Sequence, residues 1–162
     1  MPWEDQLVVA HLARVLHVVE DNDMIVKTKR VAINFADSVA GAEVETGFTF
    51  PDKCKVLDVT LDVTVKEETG TTKTIIIGNE TDPNGFAAGV LVDDVAIVEP
   101  TLASGAVTLG ALLYTTEAAG ALTREPDISS GGEKLVWTPG SNDFAELAGY
   151  IIVTYIDLTV PS

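Results

Sequence analysis

The stretch KVLDVTLDVTVKE, residues 55–67, constrains the fold more than any other part of the chain. Within it, apolar Val59, Leu61, Val63 and Val65 alternate with Thr and Asp residues. Successive side chains of a β-strand point to opposite faces, so this period of two predicts a strand with one buried and one solvated face. Strands of this kind are typical of antiparallel sheets.

Further stretches of strand-forming residues follow, separated by turn residues. The final stretch AGYIIVTYIDLTV (148–160) is largely apolar on both faces, which predicts a central strand. The turn EETGTT (67–72) predicts that KTIIIGN (73–79) returns along the preceding strand as a hairpin with a longer loop. The other predicted strand segments are 24–36, 44–50, 89–100 with a break at Asp93 and Asp94, 105–116 and 134–140.

The sequence therefore predicts about eight to ten strands, with no long helical pattern after residue 23. This pattern indicates an all-β fold, an antiparallel β-sandwich or jelly roll, and argues against βαβ units. The length of 162 residues fits one domain. We expect residues 24–162 to form the β-sandwich domain and residues 1–23 to be an N-terminal arm or short helix. The arm has apolar residues at helical spacing, but its β-branched content also suits an edge strand.

The charge of the chain is strongly acidic, with 25 acidic and 10 basic residues and a formal net charge of −15. Binding to nucleic acid needs clustered Lys and Arg, so the composition argues against it and equally against an anionic membrane surface. The charge favours solubility, or else a partner with a basic surface. No segment has the roughly 18 to 20 apolar residues that span a bilayer. The apolar stretch at residues 7–19 lacks the features of a secretory signal, so we expect folding in the cytoplasm.

The one cysteine, Cys54, excludes an intramolecular disulfide. Lys53 and Lys55 flank it and could lower the pKa of its thiol. Because Cys54 begins an apolar strand pattern, a packing role is the favoured interpretation.

The stretch GNETDPNG raises a question of metal binding. Glu80, Asp82 and Asn84 alternate before Gly85, as oxygen ligands do in the first half of a calcium loop. The twelfth position of such a loop is Leu91 here, where a bidentate Glu is required. The same residues also have the composition of a β-turn, with Asp first, Pro second and Gly fourth. We favour the turn and keep the cation site as an alternative.

No catalytic motif stands out. His11 and His17 are six residues apart, which does not match a zinc-binding helix, and ISSGGEK (128–134) lacks phosphate-loop spacing. Acidic pairs such as Glu67 and Glu68 are expected by chance in so acidic a chain. The aromatic residues could form a sugar-binding platform, but core and interface roles are favoured for most of them. They are Trp3, Tyr114, Trp137, Tyr150 and Tyr155. We therefore expect a non-catalytic structural or binding protein without a cofactor.

Two parts of the chain resemble virion structural proteins of tailed bacteriophages. They are residues 46–90, which carry GTTKTI and PNGF, and residues 148–158, AGYIIVTYIDL. The resemblance implies a capsid decoration (cement) protein with a jelly-roll fold, commonly trimeric, that is made in the host cytoplasm. Such a protein binds the major capsid protein on the outside of the head and stabilises the shell without catalysis. The amphipathic arm would then dock on the shell or on a neighbouring subunit. Its candidate contact residues are Trp3, Leu7, Leu12 and Leu16.

Three alternatives remain open from the sequence. A carbohydrate-binding jelly-roll module predicts a monomer with an exposed aromatic platform. Another virion part, such as a tail or head-fibre component, would also be β-rich and oligomeric. A cupin-like enzyme needs clustered histidines and is the weakest of the three, because both histidines lie near the N-terminus.

Overall fold

The structure is a computed structural model that describes residues 26–35, 42–69, 71–102, 108–116, 120–140 and 144–159. The predicted arm, with Trp3, Leu7, Leu12 and Leu16, lies outside the described residues. The division between arm and domain therefore stays a prediction.

Ten β-strands form almost all of the regular structure in the described ranges, and the remainder is a short 3-10 turn at Ala111–Leu113. The strands are β1 (Val26–Asn34), β2 (Val44–Thr49), β3 (Cys54–Val65), β4 (Thr74–Asn79), β5 (Ala87–Leu91), β6 (Ile97–Val98), β7 (Tyr114–Thr116), β8 (Leu122–Arg124), β9 (Lys134–Pro139) and β10 (Ala148–Asp157).

Eight of these strands form two four-stranded antiparallel sheets. The first sheet has the order β1-β10-β3-β6 and the second sheet has the order β2-β9-β4-β5, while β7 and β8 pair separately. Most of the connections between the eight strands cross from one sheet to the other, which is the winding of a jelly roll. The predicted all-β sandwich is confirmed.

The core lies between the two sheets, and β3 and β10 line it as their sequences predict. Val59, Leu61 and Val63 are buried on β3, and Ile151 and Val153 are buried on β10. Strand β10 lies between β1 and β3, so its predicted central position is confirmed. Strong alternation on β3 fixes its register, because a slip by one residue would turn its buried apolar side chains to solvent.

The prediction for Val65 was wrong, because this side chain is exposed. The register explains the difference. Gly149 pairs with Val63 but Ala148 pairs with Val65, so Thr64 is the extra residue of a β-bulge. A bulge shifts the alternation of the strand beyond it, and the face of Val65 is no longer that of Val63.

Aromatic rings fill the core on the side of the second sheet. The rings of Phe48 and Phe50 meet edge to face with centroids 5.1 Å apart, and those of Phe50 and Phe86 do so at 5.6 Å. Trp137 of β9 is buried in the same cluster. Edge-to-face pairs add to the stabilisation from burial alone, so this cluster is a main link between the sheets.

The predicted hairpin between β3 and β4 was wrong. These strands lie in different sheets. The hairpin in this region is instead β4 with β5, where Thr74 pairs with Leu91 and Ile77 with Ala87. Alternating patterns show that two strands exist and which faces are apolar, but they do not show which strands are neighbours.

The predicted strand at 105–116 is shorter than expected. Among its described residues, 108–116, the strand is Tyr114–Thr116, which follows the 3-10 turn. A methyl group on Gly110 would overlap the backbone of Asn84 and Gly85, and the amide of Leu112 donates to the Gly85 carbonyl at 2.8 Å. This segment therefore packs on the β4–β5 turn, and its Leu109 forms an isolated antiparallel bridge with Ala87 of β5.

Candidate functional site

The motif GNETDPNG forms a compact corner between β4 and β5. The amide of Gly85 donates to the Asp82 carbonyl at 2.9 Å, which closes a β-turn over Pro83 and Asn84. The Asp82 carbonyl also accepts from the Asn79 amide at 3.1 Å, and the Asp82 amide donates to Asn79 Oδ1 at 2.6 Å. One hydrogen bond thus closes the corner, and two more fix it to Asn79 at the end of β4.

This corner lies against the outer face of the second sheet. Gly78 pairs with Val136, and Val136 also pairs with the exposed Glu45, so all three share the outward face. A Cβ on Gly78 would overlap the Asp82 carbonyl oxygen and the carbonyl group of Pro83. Val136 is nevertheless fully buried. Glycine at position 78 therefore lets the corner approach the sheet closely enough to cover Val136.

The carboxylate of Glu80 already has basic and amide partners. Its oxygens accept from the Lys134 amide at 3.1 Å and lie 3.6 Å from Lys134 Nζ. Within the described ranges, no group of three or more His, Cys, Asp or Glu side chains is placed to hold a metal ion. The hydrogen bonds explain Asp82 and Gly85 as parts of a turn. The cation site at Glu80, Asp82 and Asn84 stays a prediction.

A buried polar network joins the corner to the loop ISSGGEK. Asn79 Nδ2 donates to Ser130 Oγ at 2.8 Å, and Ser130 Oγ donates to the buried carboxylate of Asp127. The Asp127 carboxylate also accepts from the Ser129 and Ser130 amides at 2.9 and 3.1 Å. The hydroxyl of Ser130 thus donates to the Asp127 carboxylate and accepts from the Asn79 amide group. The network links Asn79, at the end of β4, to the loop that carries Ser130, although the two are far apart in the sequence.

Glu67 has a role that the sequence does not show. Its side chain is fully buried, whereas that of the neighbouring Glu68 is exposed, so the two do not act as a carboxylate pair. The Glu67 carboxylate accepts from the amides of Ala145, Glu146 and Leu147, at 3.0–3.2 Å. These residues lead directly into β10, and Glu67 follows the end of its neighbour β3. The carboxylate thereby fixes the two central strands of the first sheet to each other.

The surroundings of Glu67 have opposing effects on its pKa. Burial alone would raise the pKa, but hydrogen bonds from the Glu146 amide, from the amide and hydroxyl of Thr69 and from the Ala145 amide outweigh it. The result is a pKa of about 2, against an ordinary value of 4.5. The folded chain therefore favours the charged carboxylate.

Cys54 has the predicted packing role. Its side chain is buried in the core cluster. Burial raises the pKa of the thiol to about 11, with further contributions from the carboxylates of Asp127 and Asp157. The exposed Lys53 and Lys55 do not offset these effects, so the thiol is protonated at neutral pH.

The aromatic side chains divide between the core and one outer surface. Trp137 and Tyr155 are buried, which removes them from any sugar-binding platform. Tyr150 lies on the outer face of the first sheet, with the guanidinium of Arg30 4.0 Å from its ring centroid. Arg30 also forms an ion pair with Asp62 at 2.6 Å. Trp3 lies outside the described residues.

The outer face of the first sheet carries several partly exposed apolar side chains among polar ones. Tyr150, Ile152 and Ile156 of β10 point outwards and are only half-buried. Val26 pairs with Ile156 at one end of this face, and Ile97 pairs with Asp62 at the other. Val26 and Ile97 are exposed. Exposed apolar side chains that line up on one face are typical of an interaction surface.

Comparisons with known proteins support the fold. A chain from the "Cyanophage Pam1 capsid asymmetric unit" superposes with a TM-score of 0.53 at 16% identity, covering 83% of this chain and 86% of that one. A chain from the "Acidic stable capsid structure of Helicobacter pylori bacteriophage KHP30" gives a TM-score of 0.43 at 14% identity, covering 85% and 90%. No family model matches the sequence, and no curated protein matches it. At 16% identity, the likeness to the cyanophage chain is a likeness of fold.

No helix within the described ranges is both long and apolar enough to cross a lipid bilayer. The strand order of the two sheets defines this chain as a β-sandwich with jelly-roll topology. Its candidate functional features are an apolar outer face and a rigid corner.

Proposed function

We propose that the chain is a structural protein of a phage virion, and more specifically a decoration (cement) protein on the outside of the head. The observation that carries the proposal is the match of 83% of the chain to a chain of the cyanophage capsid structure, at a TM-score of 0.53. The sequence resemblance of residues 46–90 and 148–158 to phage virion proteins supports it independently. The role is stabilisation of the shell without catalysis.

The physical properties of the chain suit such a role. A net charge of −15 keeps a protein soluble at the high copy number needed before assembly. The same charge would oppose a position facing packaged DNA and suits the exterior. Repetition on a lattice turns many weak contacts into stable attachment when the copies are linked as an oligomer. We therefore propose a homotrimer bound to the major capsid protein.

The N-terminal arm, residues 1–23, is the proposed contact with the shell or with a neighbouring subunit. Its apolar residues Trp3, Leu7, Leu12 and Leu16 are the candidate contacts. The β-sandwich would then be the body that the arm attaches to the head.

Binding to heads tests the proposal. Purified protein is mixed with heads of the encoding phage that lack it, and the heads are pelleted and then heated. We expect saturable co-sedimentation and a higher temperature of head disruption. Bovine serum albumin at equal concentration controls for protein that is carried nonspecifically into the pellet. Binding to tails but not to heads would contradict the decoration role and favour a tail or fibre component, and binding to neither would contradict the virion role.

Deleting residues 1–19 in the same assay tests the arm. The truncated protein should keep its β-sheet circular dichroism and its cooperative unfolding, but lose at least about 10-fold in affinity for heads, because truncating interface anchors typically costs more than 1 kcal/mol. Unchanged attachment would show that the contact lies on the sandwich.

A further inference from the structure

The two edges of the first sheet differ in charge and in exposed apolar side chains. Its strand order, β1-β10-β3-β6, places β1 at one edge and β6 at the other. In the part of the chain that the structure describes, β1 pairs only with β10 and β6 only with β3. Exposed strand edges are surfaces that a second chain can cover.

The β6 edge, defined here as residues 93–99 (DDVAIVE), combines carboxylates with exposed apolar side chains. Val95 and Ile97 are 57% and 67% exposed. Asp93 and Glu99 are exposed and form no ion pair with another described residue. Ala96 is held beside β3, because its carbonyl accepts from the Val63 amide at 2.9 Å. The β6 edge therefore has exposed apolar side chains at its centre and carboxylates at both ends.

The β1 edge, defined here as residues 26–30 (VKTKR), has the opposite charge. It carries Lys27, Lys29 and Arg30, three of the ten basic residues of the chain. Lys27 and Arg30 form ion pairs with Asp157 and Asp62, whereas Lys29 forms none among the described residues. Val26, at the start of this edge, is 55% exposed.

We infer that the β6 edge of one copy binds the β1 edge of a second copy, so that the first sheets of neighbouring subunits lie side by side. Charge complementarity supports this choice of partner, because the β1 edge presents exposed basic side chains, with Lys29 in no ion pair among the described residues, to the carboxylates of the β6 edge. The contact is heterologous, since it joins two different surfaces, and such a contact closes into a ring when the rotation per subunit permits. The inference rests on the proposed trimer and specifies the surfaces that form it.

The apolar centre is tested with two matched substitutions, Ile97→Glu and Ile128→Glu. Both side chains are highly exposed, at 67% and 73%, so neither substitution should change the unfolding temperature appreciably. Ile97 lies on the β6 edge and Ile128 lies on the loop before β9, outside both edges. By analytical ultracentrifugation, Ile97→Glu should weaken association at least about 100-fold, whereas Ile128→Glu should change it less than about 3-fold. Equal effects of the two substitutions would overturn the inference.

A charge exchange tests which edges meet. Lys29→Glu alone, and Asp93→Lys with Glu99→Lys alone, should each weaken association about 10-fold by placing like charges opposite each other. Combining all three substitutions should restore association to within about 3-fold of the original protein. If the combined variant associates no better than the separate β1-edge and β6-edge variants, the two edges do not face each other and the inference is overturned.

Failure of this inference differs from failure of the proposed function. Association is measured on the isolated protein, and head binding is measured by sedimentation with heads. A protein that stays monomeric at every concentration overturns the edge-to-edge contact even if it binds heads. A protein that fails to bind heads but shows the charge rescue confirms the contact and contradicts the decoration role.

Discussion

Gly78→Ala should destabilise the protein by about 3 kcal/mol, the range of substitutions that force atoms apart in a packed region. At an ordinary strand position, alanine is as good as glycine or better. Here its methyl group would overlap the carbonyls of Asp82 and Pro83. The corner must then move away from the second sheet, weakening the hydrogen bonds to the Asp82 carbonyl and exposing Val136. Urea unfolding at neutral pH measures the loss.

Gly47→Ala is the matched control for this prediction. A methyl group on Gly47 meets no atom within 4 Å, but the residue has a φ of +75°, so the cost is backbone strain alone. We expect about 1 kcal/mol for this variant. If Gly78→Ala costs no more than Gly47→Ala, the close contact between corner and sheet does not exist as described.

Glu67→Gln should cost about 3 kcal/mol at pH 7. The reduction of the carboxyl pKa from 4.5 to about 2 corresponds to about this free energy, at 1.36 kcal/mol per pH unit. Gln keeps the size of the side chain, but replaces one accepting oxygen with an NH₂ group that faces backbone amides. Buried donors then lose their acceptor, which is costly. Urea unfolding of both proteins measures the difference.

The effect of Glu67→Gln should depend on pH. Because the pKa of Glu67 is lower in the folded than in the unfolded chain, its stabilisation is complete above about pH 4.5 and is lost as the pH falls towards 2. The difference between the variant and the original protein should therefore shrink over that range. The control is Glu68→Gln, whose exposed carboxylate forms a surface ion pair with Lys66 at 3.0 Å and should matter little. A cost that stays constant down to pH 2 would show that the charge of Glu67 is not what stabilises the fold.

The sequence was sufficient to predict the class of fold because burial imposes a strict period on long strands. The alternation in β3 and the two apolar faces of β10 follow directly from the positions of these strands in the first sheet. The neighbours of β4 could not be predicted in the same way. The apolar pattern of β4 is compatible with a hairpin to β3 and equally with a position in the opposite sheet. Contacts between residues far apart in the sequence decide which sheet β4 joins.

The candidate site was predictable only where its chemistry is local. The turn at Asp82–Gly85 depends on four consecutive residues, so composition reveals it. The contacts of Glu67 with residues 145–147 and of Asn79 with Ser130 join distant segments. Glutamates that follow a strand normally indicate a solvated turn. Nothing in the local sequence shows that Glu67 is buried and Glu68 exposed. The exposed apolar side chains of the outer face are likewise recognised only once the register shows which residues share that face.

Cryo-electron microscopy of heads with and without the protein tests whether it decorates the outside of a phage head. We expect difference density on the outer surface, of a size that fits chains of 17.1 kDa grouped in threes. Difference density confined to the tail or to the interior of the shell, or no difference at all, would contradict it.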